Sequence, residues 1–316
     1  MAEEASSLGR YTLLRLLLLI PTFLGVSLIA FIIMKMTPGD PVVTVLGSSA
    51  SGPTVAALRA QLGLDQPVYL QYLLFLWRIL HGNLGNSIAQ QVSVVNLIAQ
   101  SLPNTLLLIS AAMVFAIAIG LPIGIIAGLR RNSAVDHAAR IGSIFAASLP
   151  DYWIGLILII GLAYYLRLFP VGGNSGPTSI VLPALALGIG LSGILIRLMR
   201  SSMLEEMRQN YVRTARSKGL RERSIVVRHV LRNAVLPVIT VMGLQLGYLL
   251  AGDFFVEYIF AWPGLGRLVV SAIFLQDYPV VQGFLLVAAS FYVGINLVVD
   301  LLYTVVDPRI KLGLGR

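Results

Sequence analysis

The chain has no cysteine in its 316 residues, which excludes a disulfide framework, thiolate zinc sites and a cysteine nucleophile together. Its three histidines stand far apart at 81, 137 and 229, so no His-x-x-x-His metal spacing exists. None of the three lysines follows a glycine, and the phosphate loop Gly-x-x-x-x-Gly-Lys-Ser/Thr is therefore missing. There is no Gly-x-Ser-x-Gly elbow, no evident paired-carboxylate site and no Thr-Val-Gly-Tyr-Gly filter. Charge is scarce as well: 12% of residues are charged and 57% are hydrophobic, against about 25% and about 45–50% in soluble domains. The 30 Gly and 15 Pro follow no period and the apolar residues gather in long runs, so neither a collagen-like nor a disordered chain fits. A membrane protein remains.

A bilayer core of about 30 Å needs about 20 helical residues, and six stretches without sustained charge meet that need. They run from Leu16 to Met34, from near Leu102 to Leu129, and between Arg140 and Arg167 with only Asp151 interrupting. The others are roughly Ile180 to Ile196, about Ala234 to Phe255, and about Val280 to Val306. All are expected to be helices, because lipid offers no partner to open backbone groups. The first is read as a retained anchor rather than a secretory signal, since its apolar run of 19 residues leads into Lys35-Met36-Thr37-Pro38 with no small-x-small cleavage site nearby.

With six spans both termini share a side. Eighteen Lys and Arg fall on that side and five on the other, which assigns the termini to the cytoplasm. The division expected is an N-terminal part, 1–101, holding the first span and an extracytoplasmic segment, and a five-helix part, 102–316, carrying a cytoplasmic loop at 197–232. In the outer segment, Pro38-Gly39-Asp40-Pro41 and Gly52-Pro53 are turn signals. After Pro67, the spacing of Tyr69, Tyr72, Leu73, Leu76, Trp77 and Leu80 predicts a helix with one aromatic and aliphatic face, suited to the membrane interface or to an outside partner.

The 197–232 loop holds ten basic and three acidic residues. Leu204, Met207, Tyr211 and Ala215 keep helical spacing, which predicts one stripe on a helix leaving the membrane. Gly219 suits the left-handed residue that ends a helix, and Leu220 stands where a closing apolar contact often falls. A second helical pattern returns through Val227, Val230, Leu231 and Ala234. A basic loop of this kind can touch anionic lipid. Its tethering between two spans argues against nucleic acid, and small Ala215 and Gly219 at the tip suit insertion into a partner's groove.

The run Tyr211-Val212-Arg213-Thr214-Ala215-Arg216-Ser217-Lys218-Gly219-Leu220, continuing through Arg228-His229-Val230-Leu231-Arg232-Asn233-Ala234-Val235-Leu236-Pro237, resembles the cytoplasmic loop of ABC importer permeases of the dipeptide, oligopeptide and nickel class. Pro21-Thr22 to Pro38-Gly39-Asp40-Pro41, Gly82-Asn83-Leu84-Gly85-Asn86-Ser87, Trp262-Pro263-Gly264-Leu265-Gly266, Asp277-Tyr278-Pro279 and Asp300-Leu301-Leu302-Tyr303 extend the resemblance over nearly the whole chain. Where importer permeases in general begin this loop with Glu-Ala-Ala, Arg213-Thr214-Ala215 stands here. The resemblance implies an all-α type I permease fold with six transmembrane helices, the first of two paired permeases in a multi-pass bacterial or archaeal cytoplasmic membrane complex. It implies a second permease, one or two ATPase subunits that hold the ATP and magnesium, and an extracytoplasmic substrate-binding protein. Its coupling loop would comprise Tyr211, Arg213, Ala215, Lys218, Gly219 and Leu220. Peptides are the substrate class implied first, with nickel chelates, glutathione or sugars as alternatives.

A secondary transporter or channel is the competing class, and it would carry several embedded ionisable groups. Asp151 is the only acidic residue near mid-span. At a helix centre a carboxylate costs about 2.5–3.5 kcal/mol unless it meets water or a partner. With Pro150 before it and Trp153 close behind, Asp151 is read either as lining a pathway with Trp153 or as bonded to backbone that the proline frees. Asp300, near the inner end of the last span, is read as the structural partner of an interfacial Arg.

Overall fold

A computed structural model describes residues 20–32, 35, 52, 53, 56, 59, 60, 65–252 and 254–306, with side chains throughout except at 251, 252 and 299–306. The ends of the first span, the turn at Pro38-Gly39-Asp40-Pro41, the Asp300 side chain and the last ten residues lie outside that description. Among the described residues every regular element is helical, apart from one isolated antiparallel bridge between Asn86 and Ser93. The all-α class is as expected. Among the described residues three helices are long and apolar enough to cross a membrane, and two further pairs would each make one crossing if counted across a bend.

The chain divides into two compact units, Met1–Asn104 with Gly264–Val293, and Thr105–Pro263 with Gly294–Arg316. In the first unit, α1 (Ile20–Ile32) packs against α2 (Val68–Leu80). Tyr72 reaches Ser27 Oγ at 2.9 Å and donates to the Leu24 carbonyl at 3.1 Å, while Phe31 stacks against Tyr72 and Phe75. The face expected on α2 is thereby split. Tyr72 turns inward, whereas Tyr69, Leu73, Trp77 and Leu80 stay exposed. Buried Asp277, between α11 (Leu265–Phe274) and α12 (Tyr278–Val306), accepts from Ser87 Oγ at 2.5 Å and from the Ile88 amide at 3.0 Å. Two motifs noticed separately in the sequence are thus joined across 190 positions.

Helix α3 (Val94–Leu129) begins in the first unit and ends in the second. In the second unit it lies against α6 (Val181–Glu206) along a glycine stripe. A Cβ at Gly120, Gly124 or Gly128 would come within 2.8, 2.7 and 2.6 Å of the Cβ atoms of Leu195, Met199 and Met203. Absent side chains let the two helices close to backbone distance, where dispersion rather than water exclusion holds helices together in lipid. Helix α6 was expected over Ile180–Ile196, but it continues to Glu206, so the first ten residues of the 197–232 loop are helix.

The third span was expected as one crossing. It is instead two helices, α4 (Ala134–Ser148) and α5 (Asp151–Leu158, extended by a wider turn over Ile159–Tyr165), set at 99°. Pro150 disfavours helical backbone in the residue before it, and Leu149 is accordingly extended, with ψ 135°. Ser133 caps α4 by accepting from the Asp136 amide, as a serine N-cap does. After α6 come α7 (Asn210–Ser217), α8 (Glu222–Ala234) and α9 (Leu236–Gly252), with a 40° bend between α8 and α9 where Pro237 follows. A short α10 (Phe254–Ile259) follows, and the Phe260 carbonyl after it accepts from the Gly173 amide at 2.7 Å.

Candidate functional site

The element after α6 is a helix, a glycine turn and a helix, but it does not form by prolonging α6. The helix stops at Glu206 and restarts after Gln209, whose backbone is extended at φ −66°, ψ 151°. A single stripe through Leu204, Met207, Tyr211 and Ala215 is therefore not formed. Tyr211 instead folds back, donating its hydroxyl hydrogen to Glu206 and accepting from Asn233 Nδ2 at 3.3 Å. Burial first, and the Glu206 carboxylate next, push the Tyr211 hydroxyl above its ordinary pKa. This tyrosine ties α7 to the end of α6 on one side and to α8 on the other.

The end of α7 follows the sequence closely. Gly219 sits at φ +74°, its amide donates to the Arg216 carbonyl at 2.9 Å, and the Leu220 amide reaches the Ala215 carbonyl at 3.3 Å. That pair of bonds satisfies two terminal carbonyls and is the Schellman arrangement, which a left-handed residue makes possible. Across this turn Arg216 Nε meets Glu222 Oε1 at 2.6 Å, and the guanidinium holds the Glu222 carboxyl below the usual carboxylate range. Leu220 makes no buried closing contact; it is 43% exposed.

Of the residues singled out here, Arg213, Lys218, Gly219 and Leu220 face outward. Ala215 does not: it is buried on the chain's own side together with Val212. In α8 the buried residues are Ile225, Val230 and Ala234, while Val227, expected on the apolar face, is exposed. The wider turn at Val226–Val230 explains that shift, because one five-residue step replaces a four-residue step and rotates the face. Around Gly219 an added Cβ would meet nothing within 4 Å, so backbone is presented there to open space.

A second feature lies in the same unit. A cavity of about 280 Å³ is bounded by Asp151, Leu187, Gly190, Ile194, Gln245 and Tyr248, among others. Asp151 opens α5, placed there by the Leu149-Pro150 break. Gly190 makes room for its carboxylate, since a Cβ at that position would lie 2.6 Å from Asp151 Oδ1. Trp153 does not bound the cavity and is 45% exposed elsewhere on α5. Gly190, Gln245 and Tyr248 were not singled out from the sequence. A mid-helix glycine marks close approach and an amide inside an apolar run marks a polar interior, so the first two carried a usable signal.

Residues 120–312 match the family described as binding-protein-dependent transport system inner membrane component, and residues 8–109 match its N-terminal companion. The chain is 40% identical to the dipeptide transport system permease protein DppB of Escherichia coli K12, over 96% of this chain and 98% of that protein. It is 38% identical to the oligopeptide transport system permease protein AppB of Bacillus subtilis strain 168, over 96% and 100%. A glutathione transport system permease protein, GsiC of Salmonella choleraesuis, is also 38% identical, over 95% and 98%.

Proposed function

The chain belongs to the family of binding-protein-dependent transport system inner membrane components, and from that premise we propose that it is the first permease subunit of an ATP-driven importer of short peptides. The observation that carries the reading is identity of 38–40% along nearly the whole chain to permeases named for dipeptide and oligopeptide transport. As a member of that family it is a multi-pass protein of the inner membrane. Its termini and the 207–221 element face the cytoplasm in this proposal, and the segment before α2 faces outward.

The work is divided among subunits. Partner ATPase chains hold ATP and magnesium, a second permease completes the pathway, and an extracytoplasmic binding protein delivers the substrate. The α7–α8 element is the coupling loop. Outward Arg213, Lys218, Gly219 and Leu220 meet the ATPase cleft, while Tyr211 and Ala215 hold the loop to its own chain. Tyr211 bonds to Glu206 at the end of α6, and the same helix bounds the Asp151 cavity with Leu187, Gly190 and Ile194. A push on the loop is thereby passed along about 24 Å of one helix, at about 1.5 Å per residue, from Glu206 to Gly190. That is a physical route by which ATPase closure changes the access of the cavity.

The test is uptake of a labelled dipeptide into liposomes holding this chain, its partner permease, the ATPase subunits and the binding protein. Uptake should require every component and ATP. Uptake by this chain alone would replace the proposal with a secondary transporter, and ATP-driven uptake of another ligand with no peptide would overturn the substrate class.

A further inference from the structure

We infer that the cavity around Asp151 is a passing site for the free ammonium end of the transported peptide, a reading that rests on the peptide-importer proposal above. Asp151 is the only charged residue among the described ones that bound the cavity. Its carboxylate projects where Gly190 lacks a side chain, and Gln245 and Tyr248 are the other polar-tipped residues there. The remaining wall is supplied by residues such as Leu187, Leu191 and Ile194. One carboxylate, one amide, one phenol and an aliphatic wall suit a primary ammonium that carries a modest side chain. The ammonium is attracted by the carboxylate.

The sign of the charge fixes which end of a peptide enters. At about 280 Å³ the cavity has room for the amino end of a short peptide with its first side chain. A dipeptide at neutral pH carries a cation at one end and an anion at the other. The anionic end is repelled by Asp151, and among the described residues no basic one bounds the cavity to receive it. The amino end therefore leads. The site need only be shallow in energy, because a conducting pathway must release what it holds.

The absence of cysteine permits a direct test. Ile194→Cys, in the complete complex, is treated with two methanethiosulfonates of similar size, one bearing an ammonium and one a sulfonate, and modification of this chain is followed by mass. The ammonium reagent should react at least about tenfold faster, within the range by which a cleft of one charge concentrates a counter-ion. Asp151→Asn should bring the two rates close together, and Asp151→Glu should keep them apart. Gly190→Ala, which displaces the carboxylate, should act like Asp151→Asn. Alanyl-alanine should slow the ammonium reagent, and its desamino analogue should not. Equal rates in the Ile194→Cys complex, or a preference that survives Asp151→Asn, would overturn the site. If the preference is present and depends on Asp151 while the complex imports no peptide, the cation site stands and the peptide reading falls.

Discussion

Arg200 forms a two-pronged ion pair with Asp136, 64 positions away: Nε donates to one carboxylate oxygen and Nη2 to the other, the latter at 2.9 Å. The Asp136 side chain is fully buried, and its second oxygen also accepts from the Asn132 amide at 2.9 Å. The pair pins the start of α4 to the part of α6 that continues beyond the expected span. Removing one member of a buried pair strands the other, at about 3–5 kcal/mol, whereas replacing both with apolar residues is far milder. Arg200→Met should therefore lower the thermal midpoint and yield of the purified complex, and Arg200→Met with Asp136→Leu should recover much of the loss. A single variant as stable as the original would show that the pair contributes nothing.

The glycines of α3 and α4 should separate by position rather than by residue type. Gly124→Leu meets Met199 Cβ at 2.7 Å and the Ile196 carbonyl at 2.9 Å from its first side-chain atom, so the α3–α6 contact must open and complex yield should collapse. Gly142 on α4 has nothing within 4 Å of a built Cβ. Gly142→Ala should be neutral or stabilising by roughly 0.5–1 kcal/mol, because alanine loses less backbone entropy in a helix.

In the proposed coupling loop, Gly219→Val forces a branched side chain into left-handed backbone, at about 1–2 kcal/mol or more. The helix end should unravel without harm to membrane insertion. Ala215→Glu should disrupt the same element from the other side, since that position is buried on the chain itself. Both should lower peptide uptake and substrate-stimulated ATP hydrolysis in liposomes, and weaken pull-down of the ATPase chains. Gly219→Asn, which tolerates the left-handed region, should retain most activity. Full uptake by Gly219→Val would remove the coupling role.

The Arg216–Glu222 clasp carries a signed pH expectation. Its carboxyl is held below the ordinary value of 4.5, so the clasp is fully formed above that value and is lost only as pH falls below it through the depressed value. Glu222→Gln should thus alter coupling to the same extent at about pH 6 and about pH 8. A defect that appears at one of these pH values and not the other would assign the change to a different titrating group.

Orientation is open to a simple labelling measurement. The six-span arrangement expected from the sequence puts eighteen basic residues on one side and five on the other, so Ser217→Cys should be protected from a membrane-impermeant thiol reagent in intact cells, and Ser49→Cys should react. The opposite pattern would invert the arrangement.

Membrane placement, helix class and most helix positions were determined by the sequence, because charge-free runs and 3.6-residue periodicity depend only on neighbours along the chain. The Gly219 turn was equally legible, since a left-handed residue closing a helix is a local requirement. Tertiary structure decided what depends on atoms remote in sequence. It seated Arg200 on Asp136, so that a basic residue counted with the loop belongs to a buried pair. It inserted an extended residue at Gln209 and a wide turn at Val226–Val230, which broke the expected stripe and buried Ile225 in place of Val227. It brought Gly190 against Asp151 by packing α6 beside α5, turning a solitary carboxylate into the wall of a cavity. Periodicity assumes an unbroken helical step, and one extended residue or one five-residue turn resets it; a cavity exists only where separate helices fail to fill the space between them.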